Sequence, residues 1–165
     1  MRTAICENDL KRDVLCIECQ RKFDAHEISE LDVRVSRLLY KLSRRFFEPD
    51  IEFRKALELN GLIVLLCTGK IGSIIGRRGI IVAEMSRDLG KKVRIVEKSR
   101  DEKKMIQDFV GMARLMGVDK VFRQESTSFK VKIAKADESK AITDAAGLEK
   151  GLKMLLNADV TVEFV

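Results

Sequence analysis

The feature that most constrains this chain is that it repeats itself. At a constant offset of 67 residues, Leu62, Val64 and Leu66 fall on Phe129, Val131 and Ile133, and Ile75 falls on Ile142. Ile81, Met85 and Leu89 fall on Leu148, Leu152 and Leu156, and Val93 and Ile95 on Val160 and Val162. Gly90 falls on Asn157, and both residue types accept the left-handed conformation that ends a helix. Alternating apolar positions, then a helical spacing, then alternation again describe one small α/β unit built twice. The apolar fraction, 45% of 165 residues, is enough for two such cores. A single Pro and ten Gly argue against a disordered or collagen-like chain.

The elements of the first unit follow from local signals. Ser29 and Asp32 stand at capping-box spacing, and Leu31, Val35, Leu38, Leu42 and Phe46 continue as one apolar helical stripe that Pro49 stops. Arg34, Arg37, Lys41 and Arg44 or Arg45 lie off that stripe. Ile51, Phe53, Leu57 and Leu59 read as a strand, blurred near Lys55, and Asn60-Gly61 as a hairpin turn into a buried strand from Leu62 to Cys67. A short helix near Ile71–Ile75 precedes a glycine loop, a helix through Ile81, Met85 and Leu89, and a strand from Lys91 to Glu97 with Val93 and Ile95 facing inward.

In the second unit, Ser99 and Glu102 give a capping signature. A helix is expected through Met105, Ile106, Phe109, Met112, Ala113 and Met116, closed by Gly117. Strands are expected at Val118–Gln124, over Phe129, Val131 and Ile133, and over Val160, Val162 and Phe164. Helical stretches pass through Ala141 and Ile142 and through Leu148, Leu152 and Leu156. The division is then 1–28, a cysteine-containing segment; 29–98, the first domain; and 99–165, the second.

The chemistry gathers at Ile74-Ile75-Gly76-Arg77-Arg78-Gly79-Ile80-Ile81. Two glycines bracketing two arginines make a loop that a ligand backbone can approach closely. Burying both guanidiniums unpaired would cost several kcal/mol, so they belong at the surface. A surface turn with a solvated basic pair would look the same in isolation; the surroundings favour an anion site. Residues 70–100 hold nine Lys/Arg against three Asp/Glu, while residues 136–165 hold three against six. The positive charge of the chain, +6 in all, is therefore concentrated around this loop, which is compatible with a polyanionic partner. The second repeat has Thr143-Asp144-Ala145-Ala146 there, without either glycine or arginine and with an added acid.

The Ile74–Ile81 stretch resembles the signature of KH domains, an apolar pair, GxxG and another apolar position. The element order resembles the type II KH topology, α-β-β-α-α-β, in tandem, the second copy degenerate in its GxxG loop. The whole chain, with Cys16-x-x-Cys19 and the Ser29–Leu42 helix before the two units, resembles the archaeal NusA-like transcription factors. The resemblance implies an α/β (α+β) protein whose first unit clamps single-stranded RNA. It implies a role in transcription elongation or termination, with RNA polymerase as a further partner. On that groove, Gly76 and Gly79 admit the sugar-phosphate chain, and Arg77 and Arg78 contact phosphate. Ile74, Ile75 and Ile81 shape an apolar floor, Lys92 and Arg94 stand on the opposite strand, and Lys70 widens the positive field.

Other classes have less to stand on. One His and no nucleophile–base pairing argue against an enzyme; neither GxxxxGK[ST] nor GxGxxG occurs. A KH-fold interaction or ribosome-assembly module is the leading alternative, and single-stranded DNA is a weaker one. Cys6, Cys16, Cys19 and His26 offer four candidate zinc ligands, but with one CxxC only, packing or free thiols are the default and no metal or cofactor is assigned. No apolar run is long enough to span a bilayer and no secretory leader is recognised, so a cytoplasmic protein is expected.

Overall fold

The computed structural model describes residues 1–46 and 50–165. The expected helix stop at Pro49 lies outside the described residues. The chain divides into two compact units, Met1–Glu58 with Ile63–Glu97, and Lys98–Val165 with Leu59–Leu62. Each contains one three-stranded sheet, ordered β1-β2-β3 in the first and β4-β5-β6 in the second.

The first unit opens with two short helices, α1 (Glu7–Leu10) and α2 (Ile17–Asp24), ahead of α3 (Glu30–Phe46). The predicted capping box is present in reciprocal form: the Asp32 amide donates to Ser29 Oγ at 3.1 Å, and the Ser29 amide donates to Asp32 Oδ2 at 2.8 Å. Along α3, Val35, Leu38, Leu39 and Leu42 are buried in the core of the first sheet, while Val33 is buried on a second, smaller cluster.

Strand β1 (Ile51–Leu59) turns through Asn60-Gly61 into β2 (Leu62–Gly69), with Gly61 at φ 69°. As the near-continuous apolar run predicts, β2 is buried from Leu62 through Cys67. In β1 the inward positions are Ile51, Phe53, Ala56 and Leu59, with Leu57 only half-buried. The alternation slips at Arg54–Lys55, and the Ala56 amide donates to the buried Asp32 Oδ1 at 2.7 Å. That slip is what blurred the strand pattern in the sequence.

Next come α4 (Ile71–Ile75), a 3₁₀ turn at Arg77–Gly79, α5 (Ile80–Leu89) and β3 (Lys92–Glu97). Ile74, Ile81, Met85, Leu89 and Val93 complete the core, with Ile95 half-buried against it.

The second unit runs α6 (Glu102–Val110), β4 (Leu115–Phe122), β5 (Thr127–Ile133), a 3₁₀ turn at Lys135–Lys140, α7 (Ala145–Leu156) and β6 (Asp159–Phe164). β4 and β5 are antiparallel, and β5 and β6 are parallel from Ser128↔Asp159 to Ile133↔Phe164. The offset of 67 carries β3 directly onto β6, and carries Gly90 (φ 72°) onto Asn157 (φ 50°), both left-handed C-caps.

Three sequence expectations are corrected in this unit. Asp101, not Ser99, caps α6, accepting from the Lys104 amide at 3.1 Å. The helix ends at Val110, because Gly111 takes φ 85° and ψ −126°, which a side chain opposes. Met112 and Met116 are consequently exposed, and Gly117 lies within β4. The apolar spacing beyond Gly111 imitates one more helical turn and so hid the break. Ahead of α7, a 3₁₀ turn stands where α4 stands in the first unit, and Ala141 bridges to Gly111.

Candidate nucleic-acid interface

The loop after α4 is held in a conformation that its residue types dictate. Gly76 sits at φ 75° and ψ 173°, a region essentially restricted to glycine. A Cβ there would meet Ile81 Cγ1 at 2.7 Å and Cδ1 at 2.9 Å. Gly79 is left-handed at φ 73°, and a Cβ on it would meet nothing, so its need for glycine comes from the backbone alone. Between them Arg78 is also left-handed (φ 55°, ψ 26°), a conformation costing a non-glycine residue about 1 kcal/mol. Two short bonds close the turn, from the Gly76 amide to Gly72 O at 3.0 Å and from the Gly79 amide to Gly76 O at 3.2 Å.

This geometry puts Arg77 and Arg78 in solvent, with no ion-pair partner among the described residues. α5 begins immediately after Gly79 without a side-chain cap, its Ile80 amide donating back to Arg77 O. Beside the loop lies a groove of about 580 Å³ lined by Phe46, Gly72, Ser73, Gly76, Arg77, Ile80 and Ile81. Its composition, apolar side chains beside guanidinium charge, suits a ligand with both flat faces and phosphates.

Of the residues singled out from sequence, the groove brings together Gly76, Arg77 and Ile81, with Arg78 and Gly79 on the same loop. Ile74 is fully buried beneath it and Ile75 is 38% exposed. Lys70 precedes α4 and pairs with Asp50 at 3.4 Å, both side chains well exposed. Lys92 and Arg94 lie on β3 and do not line the groove; Lys92 is exposed and Arg94 half-buried.

Sequence reasoning missed Phe46 and Ile80. Phe46 continued the helical core stripe, yet it ends α3 partly exposed, with the Arg45 guanidinium 5.0 Å from its ring centre. Ile80 follows Gly79 at 52% exposure, an unusual position for an isoleucine at the start of a helix; the adjacent apolar pair Ile80-Ile81 was the available signal.

The corresponding corner of the second unit is closed. Asp144 accepts from the Gly147 amide at 2.8 Å and caps α7. On the neighbouring sheet, Lys130 pairs with Glu163 and Lys132 with Asp119, each at 2.9 Å. Lys132 also holds the Asp119 carboxyl below its ordinary range.

Two units, each a three-stranded sheet with helices, make an α/β architecture of the tandem KH-like kind. The particular likeness is to the crystal structure of APE1850: TM-score 0.57 at 18% identity, covering 77% of this chain and 96% of that one. No known family profile matches the sequence. No curated protein matches it either. Among the described residues, no helix is long and apolar enough to cross a membrane.

Proposed function

We propose that the chain is a single-stranded RNA-binding protein of the archaeal NusA-like kind, a non-enzymatic cytoplasmic factor acting in transcription elongation or termination. RNA lies along the groove of the first unit, which serves as a type II KH domain; RNA polymerase is the protein partner. The observation that carries this reading is the Gly76–Gly79 turn, which sets two arginines, unpaired among the described residues, and an uncapped helix start beside a partly apolar groove. Arg77 and Arg78 contact phosphates, Gly76 and Gly79 let the backbone pass, and Lys70, Lys92 and Arg94 add field. Ile75 and Ile80 face the bases, Ile74 and Ile81 support them from below, and Phe46 offers a ring on which a base stacks. Such a site takes splayed single strands rather than a duplex.

The test is binding to short single-stranded RNAs at two salt concentrations, for the wild type and for the double change Arg77→Asp with Arg78→Asp, with folding followed by circular dichroism. Salt-sensitive binding lost in the folded variant supports the reading. Binding that survives moves the RNA away from this loop. A second reading, a KH-fold interaction or ribosome-assembly module, draws on the apolar side chains the second unit exposes, Phe122 at 74% and Met112 at 84%. Absence of RNA binding by the wild type favours it.

A further inference from the structure

The N-terminal segment holds a cluster the RNA-binding reading does not use. Its two helices contain four and eight residues, too short to be stable alone. Its apolar core consists of Ile5, Cys19 and Val33, edged by Leu10, Leu15, Phe23 and Ile28. So small a body needs a cross-link or a metal to hold one shape. All four cysteines of the chain are free thiols.

We propose that Cys6, Asp9, Cys16 and Cys19 form a tetrahedral zinc site that staples α1 to the start of α2. One ligand atom from each of these residues lies within 4.8 Å of all the others. Cys6 Sγ and Cys16 Sγ are 3.9 Å apart. Two sulfurs each about 2.3 Å from a tetrahedral zinc stand about 3.8 Å apart. A disulfide would require about 2.05 Å.

The Cys6 amide points at Cys19 Sγ at 3.4 Å, and the Cys19 amide at Cys16 Sγ at 3.5 Å, so main-chain donors face the sulfurs that would carry charge.

Asp9 supplies an independent observation. Its side chain is 1% exposed and has no ion pair among the described residues. Oδ2 accepts from the Cys16 amide at 3.0 Å, and the sulfurs surround the carboxylate. Buried carboxylates are ordinarily matched by a cation, and a bound dication fills that role. Three thiolates, one carboxylate and one Zn²⁺ leave a net charge of −2. Arg37 stands next to it, its Nε donating to Asp9 O at 3.3 Å and its Nη2 buried without a hydrogen-bond partner among the described residues. His26, the fourth candidate suggested by sequence, is exposed and outside the cluster. Sulfur-rich tetrahedral coordination selects zinc over oxygen-seeking cations, and binding releases the thiol protons to solvent.

The full chain, stripped of metal by a chelator under reducing conditions, is titrated with Co²⁺ and then Zn²⁺. One equivalent of Co²⁺ should produce a thiolate-to-cobalt charge-transfer band, and one equivalent of Zn²⁺ should abolish it. Cys6→Ser and Cys16→Ser should each lower the band by about one third and weaken binding at least about tenfold. Asp9→Asn should keep the full band while affinity falls about 10- to 100-fold, and His26→Ala should change neither. Hydrogen exchange resolves a folding failure: on chelation, residues 5–24 should lose protection while β2 keeps it. Sub-stoichiometric cobalt in the wild type, a band unaffected by Cys6→Ser, or binding lost in His26→Ala overturns the proposal.

Discussion

The two units share a frame and part company at one corner. In both, a strand leads through a short connection to a helix, a left-handed C-cap and a final strand, with Gly90 and Asn157 at the same step. At that connection the first unit has glycines at positive φ, arginines unpaired among the described residues, and a helix start without a side-chain cap. The second has a 3₁₀ turn, an aspartate sealing the helix start and lysines already matched to acids. Core spacing and helix ends are thus enough to keep the fold. The features that suit an anion sit in four loop residues whose counterparts in the second unit differ while the frame is kept.

The strongest way to break this comparison is to reverse the charge where it is unpaired. Arg77→Asp with Arg78→Asp should weaken RNA binding about 100-fold at low salt and reduce the salt slope by about 1.4. Lys130→Gln with Lys132→Gln, at the paired cations, should change it less than about threefold. Filter binding across a salt series measures both, and equal losses would dissolve the distinction between the units.

Gly76→Ala forces a side chain into a glycine-only backbone region and against Ile81. It should cost the first unit about 1–3 kcal/mol, read by urea unfolding with hydrogen exchange to locate the loss. Asp144→Ala should cost the second unit about 1 kcal/mol by removing the cap. It opens that helix start without adding arginines, so RNA affinity should not rise; a rise would show that the open amides alone suffice.

The smallest effect is a titration. Asp137 in the second unit accepts from Arg114 Nε at 2.7 Å and Lys140 Nζ at 3.0 Å, and these cations, Arg114 foremost, hold its carboxyl down at about 2. Its contribution is therefore complete above an ordinary carboxyl pKa of about 4 and is lost as pH falls toward 2. Urea midpoints between pH 5 and pH 2 should fall less steeply in Asp137→Asn than in the wild type.

Much of the fold was legible because burial imposes its period on the sequence. The run Leu62–Cys67, the Ser29/Asp32 box and the paired caps Gly90 and Asn157 each carry one local meaning, and the structure uses them so. The misreadings fall where two local meanings coincide. Met112 and Met116 continue a helical spacing across Gly111, and only the backbone angles there show that the helix has ended. In the candidate site, the loop glycines and arginines stood out by type. Phe46 did not, because a ring that closes a core stripe and a ring that edges a groove look alike until the helix end is placed. Asp9 was hidden for a related reason: an aspartate among acidic residues reads as surface, and its burial depends on contacts made by residues distant in sequence.

The carboxylate of Asp32 joins events that are usually separate. One oxygen closes the first turn of α3, and the other receives the amide of Ala56 where β1 slips out of alternation. Both bonds rest on one side chain, so displacing that carboxylate takes a partner from the helix start and from the mid-strand irregularity at once. Fraying at that end of α3 would strand a buried amide 24 residues away. The irregularity in β1 acts as a latch, setting the helix against the strand and leaving the start of α3 little freedom to open alone.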